Sequence, residues 1–215
     1  MKSVYCVLKT GRFRNARTKV EYNAQQVQWL KRQCDEHLKG VDFYCLTDLD
    51  SIDGVNTIPL KHNWPGWWSK IELFRFDEVF YIDLDTVIIN DIRYMLDLKE
   101  FHALRNLSGH RLNDKVVMGS GLMSWTIRPQ NVYESFTISQ IPQYTKRYNR
   151  WGDQGYIYDR LAGQYNAFQD AFPNRIHSYK FDGIDKENPP GDIVIFHGKP
   201  KPWDSGQKWV PPLVL

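Results

Sequence analysis

Asp83 and Asp85 stand one residue apart at the end of the apolar run Val79-Phe80-Tyr81-Ile82. Paired carboxylates of this kind suit a hard divalent cation, Mg²⁺ or Mn²⁺, which binds carboxylate oxygens and keeps positions open for phosphate oxygens. Alternate strand residues point the same way, so the spacing predicts that both acids share a side while Leu84 turns to the core. A buried strand that ends in two acids also delivers them to its carboxyl end, where open α/β sheets bind ligands. Taken alone, the pair also fits a strand that closes in turn-forming aspartates.

Four further groups could complete a phosphate and sugar chemistry. The segment Ile193-Val194-Ile195-Phe196-His197-Gly198-Lys199-Pro200-Lys201-Pro202-Trp203 reads as a strand running into an imidazole, a glycine and two lysines. Neutral imidazole suits Mn²⁺ better than Mg²⁺, Gly198 allows a close backbone approach, and the lysines can neutralise phosphate as point charges. Lys70 lies on a short predicted helix, Trp67 to Phe74, just ahead of the acids. Gly119-Ser120-Gly121 opens a strand and offers backbone amides and a hydroxyl to a sugar. Asp153 and Gln154 start a helical pattern, with Asp153 read as its N-cap, and side by side they can hold sugar hydroxyls.

These groups need a scaffold, and the pattern supplies one. Ser3–Leu8 is strand-like, the apolar positions from Val20 to Leu38 recur at three or four residues and close at Gly40, and Asp42–Leu46 and Val55–Ile58 read as further strands. This is β-α-β, which implies an α/β fold: a mixed, mostly parallel, twisted sheet flanked by helices. The strands at Ala103, Ser120–Thr126 and Asp192–Phe196 follow, and the tail around Trp209-Val210-Pro211-Pro212 is extended.

With 215 residues, 42% hydrophobic and 25% charged, the composition is that of one globular domain spanning 1–215. A net charge of +3 argues against a nucleic-acid partner. One basic cluster, Lys9, Arg12, Arg14, Arg17 and Lys19, would suit an anionic ligand or a peripheral membrane contact. No run approaches the ~18 apolar residues of a membrane span, and no signal peptide is read. Cys6, Cys34 and Cys45 lack paired spacing, which points to buried thiols in a reducing, cytoplasmic setting.

In this order the motifs resemble those of a GT-A (Rossmann-like) glycosyltransferase. They are most similar to the family 8 group that includes glycogenin and lipopolysaccharide galactosyltransferases, over roughly residues 3 to 203. The resemblance implies a metal-dependent hexosyltransferase that moves a hexose from a UDP-sugar donor to an acceptor hydroxyl on a glycan, lipid-linked sugar or protein. It implies retention of configuration, with Mn²⁺ (or Mg²⁺) bridging the diphosphate. Residue by residue, Asp83 and Asp85 match the metal-binding acids, with His197 as third ligand. Lys70, Asp83, Ser120, Gly121, Gly198 and Lys201 face the donor, and Asp153 and Gln154 stand at the transferred sugar. The chain departs from the family in having Ile195 where the metal-binding His usually stands, with His197 directly before Gly198, and in having Gly-Ser-Gly for the usual Asn-Ala-Gly. Two rivals use the same residues: a haloacid dehalogenase-type phosphatase with Asp83 as nucleophile on phosphorus, and a non-catalytic carbohydrate or nucleotide binder.

Overall fold

The structure, a computed structural model, describes residues 2–11, 21–107, 118–147, 152–182, 184 and 187–214. Most of the basic cluster, Arg12 to Lys19, lies outside the described residues, as does the predicted helix start at Val20. In chain order the strands are β1 (Ser3–Leu8), β2 (Phe43–Thr47), β3 (Asn56–Pro59), β4 (Val79–Ile82), β5 (Thr86–Ile88), β6 (His102–Arg105), β7 (Met118–Trp125), β8 (Asn166–Ala167), β9 (Ile176–Ser178) and β10 (Ile193–Ile195). Helices α1 (Ala24–His37), α2 (Ile141–Arg147), α3 (Gly152–Arg160) and α4 (Phe168–Ala171) flank them, with a 3₁₀ helix over Gly66–Arg75.

Seven strands form one sheet in the order β3-β2-β1-β4-β7-β6-β8. The β1–β2, β2–β3, β1–β4 and β6–β8 pairs are parallel; only the two pairs made by β7 are antiparallel. The expected mostly parallel sheet is therefore present. Its strand order reverses direction beside β1, between β2 and β4, and such a switch point opens a crevice at the carboxyl ends. A second sheet, β5-β10-β9, stands beside the first. It was not foreseen, because three-residue β5 reads in sequence as a continuation of β4.

The β4 residues show why the apolar run is continuous. Phe80 and Ile82 pack into the core on the α1 side, while Val79 and Tyr81 pack into the core beneath the 3₁₀ helix and α3. A strand covered on both faces has no polar side to alternate with. Helix α1 starts at Ala24, four residues later than the apolar spacing suggests, because Asn23 and Gln26 form a capping box. The Asn23 Oδ1 accepts from Gln25 N at 2.8 Å and Gln26 Oε1 accepts from Asn23 N at 2.8 Å, satisfying amides that have no intrahelical partner. Val27, Leu30, Cys34 and Leu38 are buried as the period predicts.

Candidate active site

Asp83 and Asp85 do not lie on one strand, as the pleat argument requires. They flank Leu84 in a turn that leaves β4 of the large sheet and enters β5 of the small one. Backbone bonds pin this corner to both sheets: Asp83 N donates to Gly121 O of β7 at 2.9 Å, and Phe196 N, just past β10, donates to Asp85 O at 3.3 Å. Thr86 N closes the turn on Asp83 O at 3.1 Å. The two acids still share a side, but a turn held between two sheets puts them there.

They open onto a cavity of about 380 Å³ whose wall also includes Lys70, Ser120, Gly121, Asp153, Gln154, His197 and Gly198. Residues from five separate stretches thus converge, as their chemistry suggested. Trp67, Leu104, Asn106 and Leu107 also line the cavity and were not singled out in the sequence. Lys201 is 5% exposed and stands behind Asp85, on which its Nζ closes to 2.5 Å.

Each acid is already paired with an ammonium. Lys70 Nζ lies 3.1 Å from Asp83 Oδ1 and 3.4 Å from Asp153 Oδ2, and 3.3 Å from Ser120 Oγ. Ser120 Oγ in turn donates to Asp153 Oδ2 at 2.8 Å. Burial acts to lower the Lys70 pKa, but Asp153 and Asp83 outweigh it and raise it to about 12. Burial pushes the Asp83 carboxyl up and Asp85 adds to the push, while Lys70 opposes it. Tyr81, two residues before Asp83 and on the same side of the pleat, donates its hydroxyl to Asp83 Oδ1. That spacing could have pointed to it. Tyr22 donates to Asp85 Oδ2 at 3.0 Å from 63 residues away in sequence, and no local pattern announces it.

His197 lines the same cavity but does not join the acids. Its Nε2 bonds to Ser178 Oγ at 2.8 Å, and its ring stacks on Phe181 at 5.2 Å. Among the described residues, no three His, Cys, Asp or Glu side chains converge as a metal-binding group. Burial, with Lys180 nearby, lowers the His197 pKa, which keeps the imidazole neutral, the form that can ligate a metal. The donor set therefore fits a hard cation through its two carboxylates, with the His197 imidazole lining the same cavity and held at Nε2 by Ser178.

Asp153 lies in the first turn of α3 rather than at its N-cap, since the helix already includes Gly152. Gly152 has φ +54°, and a Cβ there would fall 2.6 Å from Trp67 Nε1. The α3 entrance thus requires glycine on two counts. The G-x-G of β7 also serves close approach, because a Cβ on Gly121 would meet Asp83 Oδ2 at 3.3 Å. Lys70 sits on the 3₁₀ helix, buried from Trp68 to Phe74, where the sequence places a short helix.

No protein-family model matches the chain, and no curated protein matches it. Solved structures do. The galactosyltransferase LgtC, determined in complex with donor and acceptor sugar analogues, superposes with a TM-score of 0.61 at 12% identity, over 95% of this chain and 90% of that one. The glycosyltransferase GlyE of Streptococcus pneumoniae gives 0.62 at 16% identity, over 95% of this chain and 57% of its own. The bifunctional glycosyltransferase WbbM gives 0.54 at 13% identity, over 94% of this chain. The chain spans little more than half of GlyE and 46% of WbbM. It has the GT-A fold that these glycosyltransferases share.

Proposed function

We propose that this chain, acting as one domain over 1–215, is a glycosyltransferase that moves a hexose from UDP to an acceptor hydroxyl with retention. The observation that carries the reading is the corner between the sheets: two acids facing a cavity that also collects Lys70, Asp153 and Gln154, with Lys201 behind, in a fold that glycosyltransferases share. In this reading Asp83 and Asp85 would hold Mn²⁺ or Mg²⁺, with His197 as third ligand. Bound there, a cation would supply Lewis-acid stabilisation of the departing diphosphate.

The chain's own residues supply the rest. Lys201 and the Gly198 turn take up charge on the diphosphate where it develops. Ser120 and Gly121 contact the sugar, and Lys70 holds Asp153 aimed. As the bond from the anomeric carbon to the phosphate oxygen breaks, positive charge grows on the ring, as in glycoside hydrolysis. Asp153 and Gln154 hold the sugar hydroxyls and stabilise that charge. The acceptor oxygen then bonds to the same face, and its proton passes to the departing phosphate, so no external base is needed.

The test is turnover of UDP-hexoses with Mn²⁺ across glycan, lipid-linked and peptide acceptors. Asp85→Asn should abolish it, and a thermal shift with UDP should require Mn²⁺. Equal turnover by the Asp85→Asn protein overturns the metal role. A shift with sugar but not nucleotide favours a simple carbohydrate binder.

A further inference from the structure

Lys201 is in the wrong place for a residue that waits for a ligand. Its ammonium is buried behind Asp85, 2.5 Å from Oδ2, and lies 5.3 Å from the centre of the Tyr22 ring. The same Oδ2 accepts the Tyr22 hydroxyl at 3.0 Å. The backbone beside it is anchored: Trp203 packs edge-on against both Trp29 and Tyr22, at 5.6 and 6.1 Å. Only the long, flexible lysine stem is therefore left to move.

The charges around it are unequal. Asp83, Asp85 and Asp153 face Lys70 and Lys201, which leaves one uncompensated negative charge on the floor. Lys180 overhangs the Gly198 turn at the rim; a Cβ on Gly198 would come 2.9 Å from its Nζ. A diphosphate arriving alone meets an acidic floor on which Lys201 is held by Asp85. A divalent cation arriving alone competes with Lys201 for one carboxylate, and the displaced ammonium then has no buried partner, which is costly.

We propose that Lys201 is the resident counter-ion of Asp85, released to the donor diphosphate only when a divalent cation replaces it, so that cation and nucleotide bind as a coupled pair. This rests on the glycosyltransferase reading above. Lys201 then has two stations, Asp85 at rest and phosphate when loaded, while Tyr22 keeps Asp85 aimed throughout.

The experiment is titration of Mn²⁺, followed by electron paramagnetic resonance of the free ion, with and without saturating UDP. The wild-type protein should bind Mn²⁺ about five- to a hundredfold tighter with UDP present, the usual range of coupling between sites. Lys201→Met should bind Mn²⁺ alone at least fivefold tighter than wild type, and UDP should improve it less than in wild type, leaving only the coupling that direct cation–phosphate contact supplies. Lys201→Arg keeps the ion pair and should keep the coupling. Lys201→Met binding Mn²⁺ no tighter than wild type overturns the proposal, as does equal Mn²⁺ affinity of wild type with and without UDP, a result independent of any variant's folding. Asp85→Asn separates the two levels. If Mn²⁺ binds wild type and Asp85→Asn equally, the metal reading fails. If binding needs Asp85 but ignores Lys201, only the counter-ion idea fails.

Discussion

At the scale of single residues, Lys70 ties three parts of the site together. It lies between Asp83, Asp153 and Ser120, with its side chain 7% exposed. A buried charge left without its partner costs several kcal/mol. Lys70→Met fills the same space, removes the positive charge and leaves two carboxylates facing each other. It should lower stability by about 3 kcal/mol, the low end for a broken buried pair, because 33% of the Asp83 side chain meets solvent. Urea denaturation measures this, and a loss below about 1 kcal/mol, the worth of a surface pair, would show that the network is slack. Ser120→Ala removes the hydroxyl that accepts from Lys70 and donates to Asp153 and should cost about 1–2 kcal/mol.

At the scale of elements, the site depends on how closely β7 approaches the turn after β4. Gly121 donates no side chain, yet its Cα faces Asp83 Oδ2 closely enough that an added methyl would sit 3.3 Å away. Gly121→Ala has an ordinary backbone conformation, so the fold should tolerate it. The carboxylate must instead give by a few tenths of an ångström against Lys70 and Tyr81. Catalysis is sensitive to such misplacement, by about a hundredfold per ångström, so turnover should fall about tenfold while the thermal melting point barely moves. An equal loss of both would assign Gly121 to packing alone. The same elements explain what could be read in advance. Strand β4 was legible because two buried faces make an unbroken apolar run, and the carboxyl-end acids followed from it. The 193–203 loop was legible because its chemistry is contiguous. The turn between the sheets was not, since a three-residue strand carries no period of its own. Nor was the contact of Tyr22 with Asp85, since nothing near either residue encodes a partner 63 positions distant. The α1 start was misplaced because Asn23 and Gln26 set it through hydrogen bonds, not through the apolar spacing.

At the scale of the whole molecule, the parallel sheet separates chemistry from stability. The carboxyl ends of β1 and β4 open on the acids, whereas their amino ends are closed by Lys2, which is 4% exposed and donates to the carbonyl of Leu98. Burial, with Lys99 nearby, lowers the Lys2 pKa from 10.5 to about 8, against a weaker upward pull from Asp97 and Glu78. The sign of the resulting pH dependence follows from linkage. Below pH 8 both folded and unfolded chains carry the proton, and the fold bears the full cost of burying the charge. Between pH 8 and 10.5 the folded chain has released a proton that the unfolded chain still holds, so stability rises with pH. Above 10.5 that cost is gone. Lys2→Met has no such group, so the stability of wild type relative to Lys2→Met should climb as pH rises from 7.5 to 10. Paired urea titrations at the two pH values read the difference directly and cancel the other groups that titrate there. A flat difference would mean that Lys2 keeps its proton at the buried end of the sheet, held by Asp97 and Glu78 more strongly than burial opposes it.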